Sequence, residues 1–291
     1  MNLEGEKIKP TFSGHDSFPC RNFWLKKGFD FVLSGKSFSD DDAVVQLGVG
    51  KNMVGAIRYW MKAFGIIDED QRITNLGYFI FSNTDGVDPY LEDDATLWLL
   101  HYHLVKTGHA STYSLIFNYL RKERIEFTKQ NFIQFIQREI GGQNENTLNS
   151  DFNVFSRMYV RNTARSKDRE DNLSELLNEL NLVDSYRSEK LEYYIIENQE
   201  RGEIPDELIL YAILDKGGFD MSVNFKSIES DFNSVGNIFA ISRHGLFMKI
   251  QNLVEKNDYL VFNDQAGIKE LQFKWKPNNP FEVLKNYYGN E

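Results

Sequence analysis

The sequence predicts a mainly α protein with small β wings, built as tandem winged helix-turn-helix modules joined by a helical middle region. Three observations lead to this class. Apolar residues recur at three- and four-residue spacing along most of the chain, glycines fall where those runs end, and alternating apolar stretches are short and few. At 291 residues with 41% hydrophobic content, the chain can bury two or three separate cores, and its 23 Phe and 14 Tyr supply large side chains to fill them.

Charge and cysteine content narrow the function classes. A net charge of −10 opposes bulk attraction to nucleic acid, so any contact with phosphates must come from local basic faces. The lone cysteine, Cys20, excludes an internal disulfide and a cysteine-based zinc cluster, and fits a reducing cytoplasm. The start, "MNLEGEKIKPTF", has no apolar core of a signal peptide, and no run of about 18 apolar residues occurs. A cytoplasmic protein with no membrane contact is expected.

The first module is read from "DDAVVQLGVGKNMVGAIRYWMKAFGII". Its Gly-Val-Gly-Lys invites comparison with a phosphate-binding loop. That loop needs a glycine five positions before the Gly-Lys pair and a Ser or Thr after it, where this chain has Val45 and Asn52. Instead, Ser39, Asp40 and Asp41 open a short helix over roughly 42–47, and Gly48 and Gly50 supply a turn. A second helix then carries Met53, Ile57, Trp60, Met61 and Phe64 on one buried stripe, with Lys51, Asn52, Arg58 and Lys62 off it. Gly65 stops this helix, and "RITNLGYFIF" reads as a short strand or wing. In such a module the second helix enters the major groove, so Lys51, Asn52, Arg58 and Lys62 are the DNA-binding candidates.

Further along, "FTKQNFIQFIQREIGGQNENTLNSDFNVFSRMYV" is a weaker helix-turn-helix, capped by Thr128 and broken at Gly141–Gly142. A polar basic loop, 161–172, follows it, and its Arg161, Arg165 and Lys167 are further DNA-binding candidates beside Arg169. The last module begins at Pro205, runs as a helix to Gly217–Gly218, continues through helices in "SVNFKSIESDF" and "SRHGLFMKIQNLVEKN", and closes with a hairpin in "YLVFNDQAGIKELQF" turning between Asp264 and Gly267. Arg243 is its DNA-binding candidate. Phe281, Val283 and Leu284 give the tail a means of docking. The expected domains are therefore 1–86, an N-terminal block with the first winged-helix module; 87–203, the helical middle region; and 204–291, a C-terminal winged-helix-like module with a tail.

Chemistry-bearing groups are sparse. In "TFSGHDSFPCRNFW", His15 and Asp16 form a candidate acid–base pair, although adjacent side chains face apart unless the backbone bends, as Gly14 permits. The block from Asp88 to His109 holds Asp88, Glu92, Asp93, Asp94, His101, His103 and His109. A helix from about 94 to 106 would splay His101 and His103 about 200° apart, so the two cannot share a metal, and the carboxylates are well placed to cap that helix. A metallohydrolase built from Asp88 or Glu92 with a histidine is the third reading. Metal ligands stay unassigned, and none of the common hydrolase, EF-hand or dinucleotide motifs occurs.

Five stretches, "FSGHDSFPCRNFWLKKGFD", "DDAVVQLGVGKNMVGAIRYWMKAFGII", "ITNLG", "DPYLEDDATLWLLHYHL" and "TLNSDFNVFSRMYV", resemble the successive signature blocks of an uncharacterised-domain family encoded in bacterial DNA phosphorothioation and phage-defence clusters. The resemblance implies a DNA-binding protein that nicks one strand to allow sulfur incorporation. It also implies partnership with a cysteine desulfurase, an ATPase and an ATP-pyrophosphatase-like sulfur-transfer protein. Carried onto this chain, it marks His15 and Asp16 as catalytic candidates and Lys51, Asn52 and Arg58 as contacts to DNA. Magnesium or manganese would serve such a nickase, though no ligand set is evident. A homodimer would match paired modules to paired half-sites. The competing reading is a non-enzymatic winged-helix regulator or assembly scaffold of the same system.

Overall fold

Trp24, Leu25, Gly28 and Phe29 share one helical face, and Trp24–Leu33 folds as α1 with that face buried. The computed structural model describes residues 10–161, 175–265 and 267–289. The chain divides into two compact units, 1–196 and 197–291.

In the first unit, Ala43–Leu47 is α2, starting after Asp42, and Gly48 closes it in the left-handed conformation. Lys51–Ala63 is α3. Its expected stripe is the core: Ile57, Trp60, Met61 and Phe64 are fully buried. The wing expected after it is absent. Thr74 accepts a hydrogen bond from the Gly77 amide and starts a helix, α4, Asn75–Phe81, while Ile67 and Ile73 form only an isolated bridge. The strand reading failed because the Thr cap outweighs the local β propensity of the Tyr-Phe-Ile-Phe run once Phe79, Ile80 and Phe81 reach the core.

Asp94–Thr107 is α5, capped by Asp93 as the acidic cluster predicts. Ser111–Leu115 is α6, followed by a π-helical turn over Ile116–Leu120 and by α7, Arg121–Glu123. Strand β1, Glu126–Thr128, leads into α8, Lys129–Glu139, through a capping box between Thr128 and Asn131. Gly141 and Gly142, both at positive φ, separate it from α9, Glu145–Tyr159. Strands β2, Asp184–Ser188, and β3, Leu191–Ile195, form a hairpin, and β3 also pairs with β1 to give the order β1-β3-β2.

The second unit holds α10, Asp206–Lys216, then β4, Ser222–Asn224, and α11, Phe225–Ser230. "SVNFKSIESDF" is thus not wholly helical: its first residues pair with the strand Ile268–Phe273 and only the rest is helical. Next come α12, Val235–Ile238, α13, Arg243–Lys256, and a hairpin of β5, Leu260–Gln265, and β6, Ile268–Phe273. Sheet order is β4-β6-β5. The tail is a helix, α14, Phe281–Tyr288, with Val283 and Leu284 buried and the Phe281 ring 5.2 Å from that of Tyr211.

Each unit therefore contains a helix, a strand, further helices and a hairpin, with two α-helices between strand and hairpin in the first unit and three in the second, and the last strand in the middle of its sheet. In the first unit this plan lies at the weaker helix-turn-helix candidate, not around α2 and α3. Among the described residues no helix is long and apolar enough to cross a membrane.

Candidate nucleic-acid interface

The turn before α1 is strained: Ser13, Asp16 and Ser17 all have positive φ, at 65°, 46° and 63°. Such conformations persist only where surrounding contacts over-determine them. Gly14 belongs to that set by close approach, since a Cβ there would stand 2.3 Å from the Tyr59 ring.

The strain turns neighbouring side chains in opposite directions. His15 points inward and is 2% exposed. Its Nδ1 accepts from the Ser17 amide at 3.2 Å, which leaves Nε2–H to donate to Asp151 Oδ1 at 3.1 Å. Asp151 also accepts from the Ser13 amide at 3.0 Å and from Thr112 Oγ1 at 3.2 Å. The imidazole stacks on Trp60 with centroids 5.8 Å apart. Burial, with the Asp151 charge second, holds the adjacent Tyr59 phenol far above its ordinary pKa, and burial raises the Cys20 thiol likewise. Both stay protonated.

Asp16 points outward and is exposed. Its Oδ2 lies 3.7 Å from where a Cβ on Gly55 would be, on the outer face of α3. Lys51, Gly55, Arg58 and Lys62 fall within about 60° of arc on that helix. The turn thus brings Asp16, but not His15, to the basic stripe. Lys51 and Arg58 are exposed and in no ion pair among the described residues, and Asn52 is exposed at the start of the same helix. Lys62 is held by Glu69, donating to its side chain at 2.7 Å and to its carbonyl at 3.0 Å.

Two grooves occupy matching places in the repeated plan. In the first unit, the start of α8, the outer face of α9 and the β2–β3 hairpin enclose about 650 Å³. Lys129, Arg187 and Lys190 line it, and none of the three is in an ion pair among the described residues. Lys129 donates to Asn153 of α9 at 3.2 Å. Burial pushes the Tyr194 phenol at its floor up to about 12, so this group remains protonated there. In the second unit the start of α11, α13 and the β5–β6 hairpin enclose a smaller groove, where Arg243 contacts Glu229 at 2.9 Å.

The other predicted residues are dispersed. Arg161 is exposed and donates to the Asn178 carbonyl at 3.3 Å. Arg165, Lys167 and Arg169 lie outside the described residues. The acidic and histidine-rich block is used internally: Asp88 accepts from the Glu92 and Asp93 amides at 2.9 and 3.0 Å, and buried His101 shares a 2.7 Å hydrogen bond with Tyr159. His109 lies 3.8 Å from Glu69 instead. Among the described residues no three His, Cys, Asp or Glu side chains converge to hold a metal ion. The metallohydrolase site from Asp88 to His109 is therefore not assembled.

Sequence reasoning missed Asp151, Lys129, Arg187 and Lys190. Asp151 left a signal: it sits between Leu148, Phe152 and Phe155 at core spacing, and a carboxylate on an apolar stripe needs a buried partner.

The model of a family described as proteins of unknown function, DUF4007, matches residues 12–288. Among solved structures, this chain is similar to an SspB crystal structure at 27% identity and to a magnesium ion-bound SspB at 26%. Each superposes with a TM-score of 0.81 and covers 96% of this chain and 88% of the SspB chain. No curated protein matches. The bound magnesium is a feature of that SspB structure.

Proposed function

The chain belongs to the DUF4007 family, and on that premise we propose that it is the DNA-binding component of a bacterial DNA phosphorothioation system in anti-phage defence, nicking one strand to allow sulfur incorporation. The likeness to SspB and the signature blocks of the first 160 residues support the system. The observation that carries the strand chemistry is the strained turn that sets Asp16 beside Gly55, on the face of α3 where Lys51 and Arg58 also lie.

Hydrolysis of a phosphodiester needs a proton acceptor for the attacking water and positive charge at the non-bridging oxygens. Lys51 and Arg58, with no carboxylate of their own, hold a phosphate, and Asn52 donates beside them. Asp16 takes the proton of the water as its oxygen bonds to phosphorus, one P–O ester bond breaks, and the departing deoxyribose oxygen takes a proton from solvent. His15 is a positioning residue: clamped by Asp151, it fixes the turn that presents Asp16. The shared plan of helix, strand, further helices and hairpin is read as a winged helix in each unit, with Lys129, Arg187 and Lys190 on the DNA backbone. Working partners are a cysteine desulfurase, an ATPase and an ATP-pyrophosphatase-like sulfur-transfer protein, in the cytoplasm, with the chain itself a homodimer.

A second reading, a non-enzymatic winged-helix regulator or scaffold of the same system, is favoured by one observation: the two repeated plans account for DNA contact without Asp16. A supercoiled plasmid incubated at low salt with magnesium or manganese, alongside a chelator control, separates the two. Conversion to the open-circular form by the wild type but not by Asp16→Asn establishes nicking at this site. A plasmid that is retarded yet stays supercoiled establishes the second reading.

A further inference from the structure

We propose that the groove between α11, α13 and the β5–β6 hairpin takes a single unpaired nucleobase of the bound DNA. This rests on the DNA-binding reading above and goes beyond it by assigning the second unit a ligand of its own. The cavity measures about 350 Å³ and is lined by Phe225, Arg243, His244, Phe247 and Lys269. That size lies within the usual range of small-ligand sites.

Charge decides against a phosphate as the occupant. Arg243 sits 2.9 Å from Glu229 and Lys269 sits 2.9 Å from Asp264, so each lining cation already has a carboxylate. His244 has Glu200 at 4.0 Å. The matching groove of the first unit is the opposite case, since Lys129, Arg187 and Lys190 are in no ion pair among the described residues. What the second groove offers is the ring of half-buried Phe247, braced by Phe225, itself 2% exposed, and by Phe262. Phe225, Phe247 and Phe262 meet edge to face, with centroids 5.6 to 6.4 Å apart. The Arg243 guanidinium lies 5.3 Å over the Phe225 ring, and the Lys269 ammonium 5.4 Å over that of Phe247.

Aromatic rings and guanidinium planes without surplus charge are the surfaces on which unstacked bases settle, because every base presents a π face whatever its sequence. Phe247 is half-buried, so its ring is fixed by the cluster yet reachable. A base inside a duplex is paired and stacked on both sides and cannot enter such a cavity, so the ligand is an unpaired or extruded one. The groove lies at the N-terminal end of α13 beside the hairpin, where a duplex lying along that helix would bring its bases within reach. The second unit then holds a base that has left the stack.

The test uses the full chain with three labelled DNAs of one sequence: a duplex, the same duplex with a short mismatched bubble, and the single strand, with 2-aminopurine at the unpaired position. The wild type is expected to bind the bubble and single strand more tightly than the duplex and to change the 2-aminopurine fluorescence. Phe247→Ala should weaken binding to the bubble by about 5- to 150-fold, the range for loss of one base–aromatic stack, and leave the duplex affinity unchanged. Phe247→Trp should restore it. Should Phe247→Ala lose its melting transition, Phe247→Leu keeps the bulk without the π face and carries the same comparison. Equal affinity of wild type and these variants for the bubble overturns the base site while leaving DNA binding standing, as does equal weakening for bubble and duplex. A wild-type protein that binds none of the three DNAs overturns the DNA-binding reading and the base site together.

Discussion

His15 of the strained N-terminal turn and Asp151 of α9 form a buried hydrogen bond, Nε2 to Oδ1 at 3.1 Å with each side chain 3% exposed. It is the clamp that joins the turn to the helical body, because the same carboxylate also accepts from the Ser13 amide and the Thr112 hydroxyl. Removing the carboxylate leaves His15 Nε2–H, the Ser13 amide and the Thr112 hydroxyl without their acceptor. Asp151→Ala is therefore expected to destabilise the protein by about 1–3 kcal/mol or more, the cost of leaving a buried donor unsatisfied, read as a shift of the urea midpoint at unchanged slope. A loss below about 1 kcal/mol would show that the pair behaves as a surface contact.

The basic stripe of α3 behaves differently because Lys51 and Arg58 are exposed and unpaired among the described residues. Lys51→Gln and Arg58→Gln should each leave unfolding free energy within about 0.5 kcal/mol of wild type. If both groups meet phosphates, each substitution should flatten the dependence of log affinity on log salt by about 0.9. Fluorescence anisotropy across a salt series measures that slope, and a slope unchanged in the double variant removes α3 from the interface.

Gly245, the third residue of α13, admits no side chain. A Cβ there would stand 2.4 Å from the Glu200 carbonyl oxygen, which is backbone and cannot swing aside. Gly245→Ala should cost at least the usual penalty for forced overpacking, about 1–3 kcal/mol, despite the better helix propensity of alanine. Calorimetric melting that stays at the wild-type temperature would mean the 200–204 loop shifts freely.

His109 sets an acid limb on stability. Burial lowers its pKa, with the Glu69 carboxylate opposing that shift and Lys62 adding to it. The folded state thus favours neutral imidazole. The contribution is full above the free-histidine pKa of about 6.5 and declines as pH falls below it, where the unfolded chain takes up the proton more readily. His109→Gln is expected to flatten the pH dependence of the urea midpoint below about pH 6.5 and to leave it unchanged near pH 8. A variant that retains the full acid limb would place its origin in other groups.

Much of the helical framework was legible in the chain. The buried stripe of α3, the cap at Thr128, the acidic cap of α5 and the β5–β6 hairpin all appear where spacing and turn residues put them. The candidate site was legible only in part. Asp16 and the α3 cations were visible as residue types, but their juxtaposition was not, since it depends on three positive-φ residues whose strain distant groups hold. Lys62 and Arg243 looked equivalent to Lys51 in sequence and are not, because Glu69 and Glu229 meet them in space.

By itself, the sequence determined the helix content, most helix ends and the hairpin of the second unit. These are settled within a few residues, by the 3.6-residue period, by caps and by the glycine that a left-handed turn requires. Tertiary structure alone decided which helix-turn-helix of the first unit acquires a hairpin, since β2 and β3 lie well beyond α9 and β3 must pair back onto β1. It also decided that His15 faces Asp151 and Asp16 faces α3. Adjacent residues carry no local rule for which of them turns inward; the core position of Asp151, with its need for a buried donor, settles it.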